Sequence, residues 1–436
     1  MRQQAMLLCS LLFFAATACS SSLLLPTPAP GTYQPGELLV QFQDDTAPSK
    51  ARDLLHELGI LPREEVISGV WRVGVPPGQE AGWLTRLLAN PLVRHAEFNR
   101  YLHRQMVGNF RPYRVWPAQR HPAFRITLLP DDPRFREDSN GLPAQWGAYR
   151  VGLPQAWDAT TGQGIKVAIL DTGIDAEHPD LRDNLEPGRN FVEGEPASPV
   201  DDFGHGTHVA GIVAAAMNSY GIVGTAPRAR LIPVRVLGIN GGTTSALLEG
   251  LSYAVKQGAR VINLSLGSAR ASRIETEQLA KILAQNVVIV AAAGNSALDG
   301  NPLEYPAAIA GVIAVTATRP PYEGMGVRGE HADFSNFNPF VTVAAPGVDI
   351  LSTVPRRFSA AGDQAIGNSG AYAYASGTSM ASPLVAGLVA LMLARHPEWS
   401  AAQLRSKLIS SATDLGEPGF DDFFGWGLVN APAAIQ

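Results

Sequence analysis

The sequence predicts an α/β protein on a mostly parallel sheet, with a small α+β unit ahead of it. Three observations carry that expectation. Beyond Trp146, short β-branched runs alternate with stretches of helical spacing, which is the pattern of strands buried on both faces. Residues 36–104 compress a β-α-β-α-β order into a short span of their own. The length of 436 residues exceeds one average domain, so two folded units are the natural division.

Taken in order, Arg2 precedes the apolar run Met6 to Phe14, followed by Ala15-Ala16-Thr17-Ala18-Cys19. A basic start, a short apolar core and small residues form an export signal over residues 1–18, too short for a membrane span. Cys19 after small residues resembles a bacterial lipoprotein signal, although Ala16 stands where leucine is more typical. Acylation there would give a lipid anchor, the one membrane contact expected. Residues 19–35, rich in Ser, Pro and Thr, read as a flexible tether.

In residues 36–104, Glu37–Phe42 and Val70–Val75 alternate as strands, and Lys50–Leu58 and Ala81–Leu88 have helical spacing. Val93–Tyr101 is a third extended stretch. Arginines with Pro and aromatics then recur without an acidic residue from Arg100 to Arg125, so residues 105–131 read as a solvated linker or processing region. Pro130-Asp131-Asp132-Pro133 marks a boundary, and residues 132–436 form the larger unit. There, strands are expected at Ile165–Leu170, Leu231–Leu237, Val261–Leu266, Val287–Ala293 and Val312–Val315. The helices between and after them are His205–Met217, Ser245–Gln257, Ile274–Gln285 and Ser379–Arg395.

Composition narrows the function. The chain is 46% hydrophobic and 17% charged, as a globular protein with a large core should be. A formal net charge of −5 argues against a nucleic-acid partner. The two cysteines, Cys9 and Cys19, both precede residue 20, so the remaining chain can form neither an internal disulfide nor a Cys-ligated zinc site.

Four segments carry candidate chemistry. Gly377-Thr378-Ser379-Met380-Ala381-Ser382-Pro383 leads from a polar loop into an apolar helix, with Pro383 expected in the first turn. Ser379 there is an ordinary N-cap unless a base and an orienting acid accompany it. Asp171 ends the run Val167-Ala168-Ile169-Leu170, where reactive groups of a parallel sheet collect and where caps and turns are also common. His205 stands in Gly204-His205-Gly206-Thr207-His208, whose small residues allow close backbone approach. A His205–His208 metal pair lacks a third ligand cluster, which leaves His208 as a structural histidine. Asn295 follows Val287–Gly294 at a strand end, where its amide can serve an oxyanion or merely shape a loop.

Together DTGID, GHGTHVAG and GTSMASP resemble the subtilisin-like serine proteases, in the Asp–His–Ser chain order that distinguishes subtilisin. The resemblance covers roughly residues 132–436 and implies a three-layer subtilisin-like fold. It makes Asp171 the orienting acid, His205 the general base, Ser379 the nucleophile and Asn295 an oxyanion donor beside the Ser379 N–H. Leu264-Ser265-Leu266-Gly267 would pair with an extended peptide substrate, and Ala292-Ala293-Gly294 would form the facing wall. These small walls suggest a pocket open to large apolar residues. The unit at 36–104 resembles the family's inhibitory prodomain, an intramolecular partner. Asp132, Asp180 and Asn218 resemble its strong Ca²⁺ site, a mix of carboxylate, amide and backbone oxygens. No organic cofactor is implied.

Two rivals remain. An inactive, surface-anchored binding protein on the same fold would lack one of the four residues, and none is lacking. An esterase with a nucleophile elbow at Gly250-Leu251-Ser252-Tyr253-Ala254 would need a preceding strand and the order Ser, acid, His, and finds neither.

Overall fold

The computed structural model describes residues 28–29, 31–111, 129–135, 144–321, 330–357 and 371–436. The export signal, Cys19 and most of the arginine-rich stretch lie outside them. The larger unit is organised on a seven-stranded sheet. Its order is Val341–Pro346, Ile313–Thr318, Val288–Ala292, Val261–Leu264, Lys166–Asp171, Arg230–Arg235 and Arg189–Asn190. Every pairing in that order is parallel.

Alternation along Lys166–Asp171 explains the layers, since successive side chains leave a strand on opposite faces. Val167 and Ile169 join a core with the helices His205–Ala214 and Thr378–Arg395. Ala168 and Leu170 join another with Thr244–Lys256 and Arg273–Leu283. Helix, sheet and helix thus stack in the three layers expected. Thr378–Arg395 is apolar around its whole circumference because it is buried from Thr378 to Leu393.

The smaller unit has strands Tyr33–Phe42, Leu61–Ile67, Val70–Gly74 and Val93–Arg104, with helices Pro48–Glu57 and Glu80–Leu88. The strand Leu61–Ile67 (LPREEVI) is an addition to the β-α-β-α-β expectation. It is a sheet-edge strand with mostly exposed or half-buried side chains, so its charges and Pro62 hide the strand pattern. The strand Val341–Pro346 is likewise unanticipated.

The two units share backbone. The end of Val93–Arg104 lies between two short strands of the larger unit, all antiparallel. Tyr101 and Leu102 pair with Thr243 and Gly242, and His103 and Arg104 with Gly267 and Leu266. The chain then continues as Val107–Arg111, which pairs with Tyr372–Ser376. The start of the stretch expected as a solvated linker is therefore a strand laid across the larger unit.

Glu97 binds Ser272 Oγ and accepts from the Arg273 N–H at 3.0 Å, at the start of helix Arg273–Leu283. Asn99 Oδ1 accepts from the Ser245 N–H at 3.0 Å, at the start of Thr244–Lys256. Two helix N-termini, rich in unsatisfied N–H groups, are thus served by one strand of the small unit. Leu39, Val66 and Val70 pack with Leu248 and Ile274 to seal the seam.

Candidate active site

Asp171 closes its strand fully buried, and its Oδ1 accepts from the Thr172 N–H and from His205 Nδ1, both at 2.7 Å. His205 opens its helix after Gly204, whose φ of 103° suits glycine. Gly206 allows the approach: a Cβ there would press on the Gly173 carbonyl and stand 3.1 Å from Asp171 Cβ.

Asp201, which sequence reasoning missed, holds the loop together. Its carboxylate accepts from Thr172 Oγ1 and the Gly204 N–H, at 2.8 and 2.7 Å, and from Thr207 N–H and Oγ1, at 2.9 and 2.6 Å. Burial pushes its pKa upward, against the pull of these donors. The fixed His205–Asp171 bond leaves His205 Nε2 buried and without a partner.

Ser379 is the second residue of helix Thr378–Arg395, so Pro383 is its sixth and lies inside the helix rather than in the first turn. Proline there has no N–H for the carbonyl four residues back, which is that of Ser379. Ser265 Oγ supplies the missing donor, at 3.0 Å from the Ser379 carbonyl oxygen. Ser265 Oγ in turn accepts from Asn263 Nδ2 at 3.0 Å, and Asn263 Oδ1 accepts from Ser382 Oγ at 2.8 Å. Asn263 and Ser382 also escaped the sequence reading, yet an asparagine inside the doubly buried strand Val261–Leu264 is itself a signal of a polar network. Ser379 Oγ donates to the Ser265 carbonyl at 3.0 Å, so the contact not made here is the one between Ser379 and His205.

Asn295 Oδ1 accepts from Thr378 N–H and Oγ1 at 2.9 and 3.0 Å. That pins the amide and leaves Nδ2 buried without a partner. Beside it runs the end of the small unit. The Ser379 N–H donates to the carbonyl of Gln105 at 3.0 Å, and the Gln105 N–H donates to the Ser265 carbonyl at 3.2 Å. Gly377 makes the approach possible: a Cβ there would stand 2.5 Å from the Gln105 oxygen and 2.9 Å from Met106 Cα.

The expected walls divide. Leu266 and Gly267 pair with the incoming strand, and Ser265 bonds Gln105 through its backbone. Leu264 packs wholly into the core. Ala292 and Ala293 are buried at the sheet end, and a Cβ on Gly294 would meet Glu304 Cγ at 2.7 Å. The pocket between the walls is therefore not simply apolar: Glu304, absent from the sequence-derived site, accepts from Gln105 Nε2 at 2.9 Å. Burial raises its pKa to about 7.

His208 is structural, as expected. It is fully buried, its Nε2 faces the Ile350 and Ala373 carbonyls at 3.1 Å, and burial lowers its pKa to about 3.

Asp132, Asp180 and Asn218 do converge. Asp132 Oδ1 accepts from the Asn218 and Tyr220 N–H groups at 3.1 and 3.2 Å. Asp180 Oδ2 accepts from the Ile222 N–H and Tyr372 O–H at 3.0 and 2.7 Å. The remaining oxygens, Asp132 Oδ2 and Asp180 Oδ1, are buried without hydrogen-bond partners. Two orphaned carboxylate oxygens fit a hard cation. The exposed Asn218 fits less directly, since its Oδ1 accepts from the Tyr220 N–H at 3.0 Å and its Nδ2 donates to the Pro179 carbonyl at 3.3 Å. No group of three or more His, Cys, Asp or Glu side chains suited to a metal occurs among the described residues.

The buried Asp171–His205 pair and Ser379 stand at the starts of helices that pack on each other over one face of this sheet, an arrangement of the serine-peptidase type. The model of the subtilase family, Peptidase S8, matches residues 162–427. The alkaline protease of Alkalihalobacillus alcalophilus is 40% identical over 313 residues, covering 71% of this chain and 74% of that one. Subtilisin Savinase of Lederbergia lenta is 42% identical over 293 residues, 67% of this chain and 98% of its own. Among solved structures, fervidolysin from Fervidobacterium pennivorans, a keratinolytic enzyme related to subtilisin, superposes with a TM-score of 0.77 at 31% identity. The match covers 94% of this chain and 62% of fervidolysin. The chain belongs to the subtilase family of subtilisin-like serine peptidases.

Proposed function

We propose that this chain is the precursor of an exported serine endopeptidase that first cuts itself between Gln105 and Met106. The observation that carries the reading is the Gln105 carbonyl, 3.0 Å from the Ser379 N–H, on a strand held between two others as an extended substrate would be.

In the reaction, His205 Nε2 takes the proton of Ser379 Oγ as that oxygen attacks the Gln105 carbonyl carbon. Asp171, bonded to Nδ1, orients the ring and stabilises its cation. The oxygen gains negative charge between the Ser379 N–H and Asn295 Nδ2. When the C–N bond breaks, His205 returns the proton to the Met106 amine, leaving Gln105 esterified to Ser379. Water, deprotonated by the same histidine, releases the acyl group as a carboxylate. Protein substrates follow the same steps.

Residues 36–104 then act as an intramolecular inhibitor, because the cut strand still fills the cleft. Calcium, held by Asp132 and Asp180 with Asn218 and backbone carbonyls nearby, would neutralise two buried carboxylates and lock their loops. Export by residues 1–18, with a lipid on Cys19, completes the proposal; lipid labelling lost in Cys19→Ala checks the anchor.

Intact-mass and N-terminal analysis tests the cut. The parent should yield a chain beginning at Met106, or trimmed from there, and Ser379→Ala should remain whole. A Ser379→Ala chain that matures alone in a protease-deficient host overturns self-processing.

A further inference from the structure

The first pocket of a peptidase reads the residue before the cut, and here that pocket holds a carboxyl. We infer that Glu304 makes this pocket select an unbranched side chain ending in an N–H donor, glutamine or the one-bond-longer lysine, over large apolar side chains. This rests on the proteolytic reading above and names its substrate class.

Four observations carry it. Gln105 precedes the bond whose carbonyl meets the Ser379 N–H, so its side chain occupies this pocket. Gln105 Nε2 donates to Glu304 Oε1 at 2.9 Å. The other oxygen, Glu304 Oε2, is buried with no hydrogen-bond partner, so the site has acceptor capacity that one amide does not fill. The channel to the carboxyl is open because both walls are glycine. A Cβ on Gly267 would lie 3.2 Å from Gln105 Nε2 and 3.4 Å from Glu304 Cδ, and one on Gly294 would lie 2.7 Å from Glu304 Cγ.

An apolar side chain entering this pocket would strip the carboxyl of water and return no donor. Sites built around a buried polar group discriminate strongly for that reason. Gln105 and Gly267, which approach the carboxyl, and Gly294, which approaches its Cγ, carry no charge to offset it. Burial raises its pKa to about 7, so both protonation states are reached near neutrality. The acid form accepts from glutamine and the anion favours the lysine ammonium.

The test uses the processed enzyme and peptide anilides that differ only in the last residue: Gln, Lys, Leu or Phe. The expected kcat/KM for Gln and Lys exceeds that for Leu and Phe by roughly tenfold or more. The Lys:Gln ratio should rise between pH 6 and 9; any pH effect on the shared chemical step falls on both substrates alike and cancels. Glu304→Leu should lower the Gln:Leu ratio by roughly 10²-fold. The near-isosteric Glu304→Gln should keep glutamine turnover but lose the lysine preference and the pH dependence of the ratio. A parent that prefers Phe or Leu, or ratios untouched by both substitutions, overturns the inference. An enzyme inert toward all four anilides and toward casein would instead overturn the proteolytic reading.

Discussion

The cleft and the Asp132–Asp180 pair both bury polar atoms that lack partners, and they differ in kind. In the cleft, beside the carboxyl oxygens Asp171 Oδ2 and Glu304 Oε2, the orphans include a base and a donor that the pair does not have: His205 Nε2, whose far nitrogen is fixed by Asp171, and Asn295 Nδ2, whose oxygen is fixed by Thr378. At the pair they are anionic acceptors, Asp132 Oδ2 and Asp180 Oδ1, whose sister oxygens are fixed by backbone N–H groups and Tyr372. An unpaired buried polar atom costs about 1–3 kcal/mol. Each region holds one end of a group rigidly and leaves the other end open. On the proposed reading, the cleft serves a proton and a negative charge that exist only during reaction. On the same reading, the pair serves a positive charge that stays.

The largest expected effect breaks the cleft side. Ser379→Ala should abolish hydrolysis while leaving the thermal midpoint within a few degrees, because its Oγ makes a single bond to the Ser265 carbonyl. A collapse of the fold would make Ser379 a structural residue instead. Next comes Asn295→Ala, expected to lower kcat by roughly 10²–10³; that is the size known for the oxyanion donor of subtilisin, a relative, rather than one deduced from this geometry. Because Asn295 Oδ1 also holds Thr378, the variant should be checked by circular dichroism. Normal turnover would remove Nδ2 from the oxyanion role.

Much of the cleft was legible because its residues sit at points of the fold that sequence marks. Asp171 ends a β-branched run, and His205 and Ser379 start helices after glycines. What escaped lies in long-range pairings. Gln105 sits inside a stretch whose arginines read as solvated, and only its pairing against Ser265 brings it to Ser379. Glu304 stands in a loop 37 residues beyond Gly267 and has no periodic pattern to place it in the pocket. Asp201 looks like a turn residue until its bonds to Thr172 and Thr207 are seen. Pro383 shows the converse: it lies a turn deeper in the helix than its sequence suggests, and only there does the Ser265 hydroxyl have a carbonyl to serve.

A smaller effect concerns the seam, where the small unit adds a third set of buried carboxyls. Burial raises Glu275 to about 8, with Glu97 nearby adding to it, and burial also raises Glu97 itself. Facing them are Arg100, Ser272 and the Arg273 N–H. A carboxyl whose pKa is raised in the complex favours association fully at pH below its free value, near 4.5, and loses that advantage as pH climbs toward the raised value. Release of the cut small unit, read as onset of activity after a pH jump, should therefore quicken between pH 5 and 8. Glu275→Gln should flatten the profile. Release that slows with rising pH would assign the seam to its ion pairs instead.

The smallest expected effect tests the pair, and it separates a cation site from two carboxyls that merely shape loops. Burial raises Asp180 to about 6, with the charge of Asp132 adding to it. Without a cation, such a group stabilises the fold only while protonated, so stability falls as pH rises through 6. A bound Ca²⁺ reverses this, because it binds the anions and only in the folded state, adding about 2.7 kcal/mol at a hundred times its Kd. Chelator should thus lower the thermal midpoint of the Ser379→Ala protein, which cannot digest itself, by several degrees at pH 8 and by little at pH 5. Restored Ca²⁺ should recover it, whereas Mg²⁺, which demands tighter octahedral geometry, should not. Asp180→Asn discriminates further: it removes the repulsion, so the chelated protein should gain stability while the response to Ca²⁺ is lost. A midpoint indifferent to chelator and to Ca²⁺ at both pH values would leave the two carboxylates as loop anchors, held by Asn218, Tyr220, Ile222 and Tyr372 alone.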